Sequence, residues 1–255
     1  MSQVASQPPL NVYSGFTPDN NFQPLNDCGV GNPFFYHSQA DDFSPYRAGD
    51  YTSTSTGTGA AAMAQTPGDG GLIAGASGTT AGAVGIQSTD AGFTVNSPPK
   101  KVFFEARANL SNVTDAGITL VAGLVQAAAA GVPTDGVYFK YVNTVWTINS
   151  AVASVVTSVT LPAAALTEVN AANFDFAFFI TRSGDILAYL DTQLVGFVPQ
   201  SQLTTPNNPQ NTGAVSRILA PTLTTANLAP GIWIVQTGAN ARTLTVDFMG
   251  AFKER

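Results

Sequence analysis

Three glutamates (Glu105, Glu168 and Glu254), one histidine (His37) and one cysteine (Cys28) bound the chemistry that this 255-residue chain can perform. Cleaving a glycosidic bond takes two carboxylates flanking that bond. Glu105 lies in an alternating segment with Arg107 two residues on, so the two side chains share a face. A salt-paired structural acid is expected there, because no further acid stands two or four residues away. Asp185 and Asp191 flank a short apolar segment and have the placing of turn residues. One histidine rules out a multi-histidine zinc site within the chain. A Ser-His-Asp triad would need His37, and no nucleophile elbow accompanies it. Asp41, Asp42 and Asp50 lack the Asp-x-Asp-x-Asp-Gly spacing of a calcium loop and predict a solvated turn. Gly57-Thr58-Gly59-Ala60-Ala61-Ala62 fits a loose dinucleotide fingerprint. That motif needs a buried strand before it and a helix after it, and here Thr-Ser-Thr-Ser-Thr precedes it. No catalytic residue, metal or cofactor is assigned, and no enzymatic activity is expected.

Charge narrows the partners. The chain is 10% charged, with a net charge of −6, whereas soluble domains average about 25% charged residues. Residues 1–99 hold one base, Arg47, against seven acids, and residues 100–255 hold nine of each. Without a basic patch, neither a nucleic acid nor an anionic membrane is an expected partner. Ile118 to Val132 is apolar but falls short of the roughly 20 residues that a membrane helix needs; a buried strand followed by a turn is expected. Cys28 has no partner for an intrachain disulfide. The first residues have neither the positive start nor the apolar run of a signal peptide. The sequon at Asn112 is therefore taken as chance.

The elements are predicted to be strands. Val102 to Leu110 and Phe174 to Ile180 alternate apolar and polar residues with a period of two. Val137–Val142 and Val145–Ile148 form a hairpin about Asn143-Thr144. Ala153–Leu161, Ile186–Leu190 and Leu194–Val198 are further strands, and Gly231–Thr237 with Leu244–Phe252 is expected as a closing hairpin. Between residues 39 and 99, short pieces at 71–74, 83–86 and 92–95 suggest strands at a sheet edge. Pro162 to Val169 is the one helical turn, and 199–230 is a long connection of the kind that binds partners. Phe104, Leu110, Phe174, Phe176, Phe178 and Ile180 should be buried, as should Trp146 and Trp233. Residues 1–38 show no period but carry Tyr13, Phe16, Phe22, Phe34, Phe35 and Tyr36. They predict an extended, irregular arm whose aromatics bind a partner surface. The expected organisation is an arm (1–38) followed by an all-β, two-sheet antiparallel jelly-roll sandwich (39–255).

The order Lys101-Val102-Phe103-Phe104-Glu105-Ala106-Arg107, Asp135-Gly136-Val137-Tyr138-Phe139 and Phe178-Phe179-Ile180-Thr181-Arg182-Ser183-Gly184-Asp185, closing on Leu244-Thr245-Val246-Asp247-Phe248, resembles the concanavalin- or laminin-G-like jelly roll. More narrowly, it resembles the tailed-bacteriophage proteins that decorate, or cement, the outer capsid surface. That resemblance covers about residues 100–255. It implies a homotrimer, made in the host cytoplasm, that binds the major capsid protein on the virion surface. The same fold hosts sugar-binding proteins, so a carbohydrate-binding head fibre or adhesin and a tail or baseplate component are the alternatives.

Overall fold

The computed structural model describes residues 36–66, 71–96, 100–111, 117–126, 130–142, 145–162, 174–203 and 223–254. The strands in chain order are β1 (Tyr36–Asp41), β2 (Tyr51–Ser55), β3 (Ala61–Gln65), β4 (Ile73–Ala76), β5 (Ala83–Ser88), β6 (Val102–Leu110), β7 (Ile118–Val125) and β8 (Gly136–Val142). They continue with β9 (Val145–Val152), β10 (Val155–Thr160), β11 (Phe174–Ile180), β12 (Ile186–Leu190), β13 (Gln193–Val198), β14 (Ala229–Gln236) and β15 (Thr243–Glu254). Among the described residues these form two antiparallel sheets. Sheet A runs β13-β12-β11-β6-β15-β4-β3, with β1 also paired to β15; sheet B runs β10-β9-β8-β7-β14-β5-β2. The chain is an all-β jelly-roll sandwich.

Period-two alternation turns one face of each strand inward. β6 sends Phe104, Ala106, Ala108 and Leu110 into the gap between the sheets, and β11 sends Phe174, Phe176, Phe178 and Ile180. Facing them from sheet B are Leu120, Ala122 and Leu124 of β7, Phe139 of β8 and Trp146 and Ile148 of β9. The aromatics interlock across the layers. Trp146 stacks on Phe174 at 5.8 Å between ring centroids and meets Phe176 at 5.1 Å, while Phe139 lies 5.9 Å from Phe176. All six side chains expected in the core from β6 and β11 are buried.

Several elements depart from the sequence reading. Gly231–Thr237 and Leu244–Phe252 do not pair as a hairpin, because β14 lies in sheet B between β7 and β5 while β15 lies in sheet A against β6. Each thereby gains ladder partners on both of its edges, which a terminal hairpin would not supply. β4 and β5 are interior strands rather than edges. On that side of the sandwich the edges are β3 and β2, built from Ala61–Gln65 and from the Thr-Ser run Tyr51–Ser55, which has almost no apolar signal. The Gly57–Ala62 segment therefore runs from one strand into another, with no helix for a dinucleotide. Tyr36, His37 and Ser38 belong to a strand rather than to an irregular arm, paired with Glu254, Lys253 and Phe252. The long connection contains a 3-10 turn at Gln200–Gln202, and its far side is tied down by a bridge between Phe93 and Leu228. Tyr13, Phe16, Phe22, Cys28, Phe34, Phe35, Asn112, Asn143-Thr144 and most of the expected helical turn, 163–169, lie outside the described residues.

Candidate functional site

The acid that the sequence singles out sits on the outer face of sheet A, turned away from the main core. Arg107 does not pair with Glu105. Its Nε donates to Asp175 Oδ1 at 2.6 Å and its Nη2 to Asp175 Oδ2 at 3.1 Å, while Nη1 stands 3.7 Å from Asp247 Oδ2. Register explains the substitution of partners. Asp175 on β11 lies directly opposite Arg107 on β6, and Asp247 stands at the bulge where β15 shifts against β6. Directly opposed side chains meet more closely than neighbours two apart on one strand. Asp191, in the turn after β12, accepts the Asp175 backbone N–H at 3.0 Å. The acids that the linear sequence lacks near Glu105 thus arrive from neighbouring strands.

Glu105 is left without a cation of its own. It is 2% exposed, and its Oε2 has no hydrogen-bond partner. Burial, reinforced by the Asp175 charge and only partly opposed by Arg107, holds its carboxyl well above the usual carboxylate range. Burial likewise raises Asp247, against the pull of Arg107. A protonated acid beside an ionised one is the division of roles that a glycosidase uses. Here the carboxyl is closed to a sugar, and both aspartates already bind the guanidinium. The arrangement sets one cation between two acids within a sheet.

The raised acid has a sign that can be tested. Between the ordinary glutamate pKa and the higher folded value, the folded chain holds a proton that the unfolded chain has released. Stability from this group is therefore complete below the unfolded pKa and falls as pH rises, by up to about 1.4 kcal/mol per pH unit. Glu105→Gln is expected to match the parent near pH 4 and to become the more stable protein as pH climbs towards neutrality. Urea melts at several pH values check this, and a gap independent of pH would refute it.

Around this cluster the outer face of sheet A is apolar. Phe197, Leu187, Phe179, Phe103 and Phe252 occupy one register row across β13, β12, β11, β6 and β15. Phe103, Phe179 and Phe252 are buried in a cluster of their own with Tyr189 and Phe248, distinct from the core between the sheets. The row becomes exposed towards β13, at Phe197.

Sheet B offers a different feature. Trp146 is core, as expected, whereas Trp233 is buried on the outer face, among Val121, Tyr138 and Ala130. Its partner across the ladder is Gly85, where a Cβ would stand 2.1 Å from that of Trp233, so only glycine admits the indole. The indole Nε1 is buried without a partner. Beside it opens a cavity of about 410 Å³ lined by Thr52, Thr54, Gln87, Ser88, Ala130 and Trp233. Hydroxyls, an amide and an aromatic edge, with no charge among them, suit a neutral polar ligand better than an ion. Sequence reading missed this site because Thr52 and Thr54 lie in a segment with no strand signal.

The other acids and the histidine weighed in the sequence make contacts within the fold. Asp41 accepts from Tyr51 Oη at 2.6 Å and from the Phe43 N–H at 2.7 Å, as a turn residue does. Asp185 accepts the Gln200 N–H at 2.9 Å. His37 lies in β1 with its ring 4.8 Å from that of Phe93. Glu254 pairs with Arg182, which holds its carboxyl below the usual range. Among the described residues, no group of three or more His, Cys, Asp or Glu side chains is arranged to hold a metal ion.

A scan against protein-family models and a search of curated proteins find no match to this sequence. Solved structures resemble it in fold. An endo-1,3-beta-glucanase from Streptomyces sioyaensis superposes with a TM-score of 0.57 at 15% identity, covering 88% of this chain and 98% of that one. A protein of unknown function, SO2946 from Shewanella oneidensis MR-1, gives 0.52 at 12% identity over 94% of this chain and 95% of that one. A native glycosidic hydrolase gives 0.54 at 8% identity over 86% and 95%. At such identities the likeness concerns the fold alone.

Proposed function

We propose that this chain is a non-enzymatic structural protein of a phage virion, a homotrimer that binds the major capsid protein on the outer surface of the head and reinforces the shell. The observation that carries this reading is the contrast between the two kinds of surface in sheet A. Asp175 and Asp247 are held by Arg107 within the sheet, whereas β13 turns outward the uncharged Gln193, Leu194 and Phe197. An enzyme of this fold needs open carboxylates, and a protein that spends its working life packed against neighbours needs uncharged contact area. The capsid as partner is supported by the strand-and-turn resemblance over residues 100–255. Many symmetric copies would each add a modest contact energy, and multivalency would make the shell hard to open.

The test is to add purified protein to phage heads stripped of their outer proteins and to follow occupancy by cryo-microscopy. Saturable binding on the outer lattice, with heads that open at a higher temperature, is the expected result. Failure to bind heads, together with saturable binding of neutral oligosaccharides that Trp233→Ala abolishes, would replace this reading with that of a carbohydrate-binding protein. The Thr52–Trp233 cavity is the observation that favours that second reading.

A further inference from the structure

We infer that residues 1–35 of this chain lie across the outer face of its own sheet A, with their aromatic side chains seated on Phe103, Phe179, Phe248 and Phe252.

An antiparallel sheet packed on one face leaves the side chains of its other face open to water. All described strands belong to the two sheets, so sheet B covers only the inner face of sheet A. On the outer face, however, Phe103 is 0% exposed, Phe252 2% and Phe179 6%. Glu105, two residues on from Phe103 along the same face, is buried with them, and so are Ala177 and Tyr189 in its register row. Every described apolar side chain packed in this cluster comes from sheet A itself. Neighbouring rings shield one another's edges, but the side they turn away from the sheet is closed only by something lying over it. Exposure returns at both ends of the row, at Phe197 and at Ser38 opposite Phe252. The cover thus spans β11, β6 and β15 and stops short of β13.

Composition picks the segment that supplies it. Among the stretches outside the described residues, only 1–35 contains aromatic side chains: Tyr13, Phe16, Phe22, Phe34 and Phe35. Residues 163–173 and 204–222 have none, and neither do the shorter stretches. An apolar face of rings is covered best by other rings, which bury large area and add edge-to-face contacts. Pro18, Pro24 and Pro33 lie between or beside these aromatics and reduce the freedom that the segment loses on docking.

Connection agrees with composition. The segment runs directly into β1, where Tyr36 pairs with Glu254 and Ser38 with Phe252. That is the end of the sheet at which Val102 meets both Lys253 and Ile180, next to Phe103 and Phe179. From β1 across to β12 is four strand spacings, about 19 Å, which about six extended residues cross. The tether is therefore long enough to reach the whole cluster, and docking on the chain's own sheet is intramolecular.

Hydroxyl-radical footprinting of the full chain tests this against a Phe16→Ser, Phe22→Ser, Phe34→Ser variant. In the wild type, oxidation is expected at Phe197 and protection at Phe103, Phe179 and Phe252. In the variant, oxidation of Phe103 and Phe252 should rise towards that of Phe197, while Phe176 and Phe178 in the core stay protected. A variant whose outer face keeps its protection assigns the cover to another segment and overturns the inference. Should the variant misfold, photoreactive benzoylphenylalanine in place of Phe22 decides, in a mixture of isotope-labelled and unlabelled protein. Adducts with β6, β11 or β15 within one copy are the expected result. Adducts elsewhere in the chain, or between labelled and unlabelled copies, overturn it. None of these readouts involves a phage head, so they stand or fall apart from the capsid role.

Discussion

Phe176→Ala is expected to lower the unfolding free energy by about 3–5 kcal/mol, the range for emptying an aromatic site in a packed core. Phe176 is fully buried and meets Trp146, Phe139 and Phe174 with ring centroids 5.1, 5.9 and 5.0 Å away. Two of these partners, Trp146 and Phe139, come from sheet B, so the truncation removes contact between the layers as well as within one. Strand pairing on both sides of β11 limits how far the backbone can collapse into the gap. Urea unfolding should show a lower midpoint with an unchanged slope. A loss below about 1 kcal/mol would mean that the site repacks and that the aromatic cluster does not hold the sheets together.

Arg107→Leu is expected to cost about 3 kcal/mol near neutral pH, since removing one member of a largely buried ion cluster leaves its partners uncompensated. Asp175 and Asp247 would then face each other and Glu105 with no cation between them. Burial already raises Asp247 and Glu105 in the presence of Arg107. Without it, the folded-state pKa values of Asp247 and Glu105 rise further, because Arg107 is the group that holds them down. The folded variant then binds protons that its unfolded chain has released, so its stability falls as pH increases. The gap between parent and variant should accordingly be small near pH 4 and widen towards pH 7, as measured by thermal unfolding across that range. A gap of the same size at both ends would show that the variant loses packing by the arginine stem rather than charge compensation. Restoring the charge with Arg107→Lys should recover part of the loss, because lysine supplies the cation without the two-pronged hydrogen bonding to Asp175.

Some of this architecture is a local property of the sequence. The alternation in β6 and β11 specifies which side chains share a face, and that alone places Phe104, Phe176 and Phe178 in the core and puts Glu105 and Arg107 together on the other side. The β8–β9 hairpin is equally local, as two apolar runs separated by two residues leave little choice of partner. The low charge and the lack of any basic cluster are likewise read from composition alone.

What tertiary structure decided is which strand lies beside which. β14 and β15 read as a hairpin because they are close in sequence, yet each gains more hydrogen bonds by inserting between strands that come from far away. β2 carries almost no apolar signal, and it is its position at the edge, paired to the interior strand β5, that makes it a strand at all. Arg107 finds Asp175 and Asp247 only through register, and Trp233 can lie buried on an outer face only because Gly85 faces it across the ladder. Period-two patterning encodes the face of each residue. Its cross-strand neighbours depend on long-range pairing, and the charge cluster and the indole cavity are both made of cross-strand neighbours.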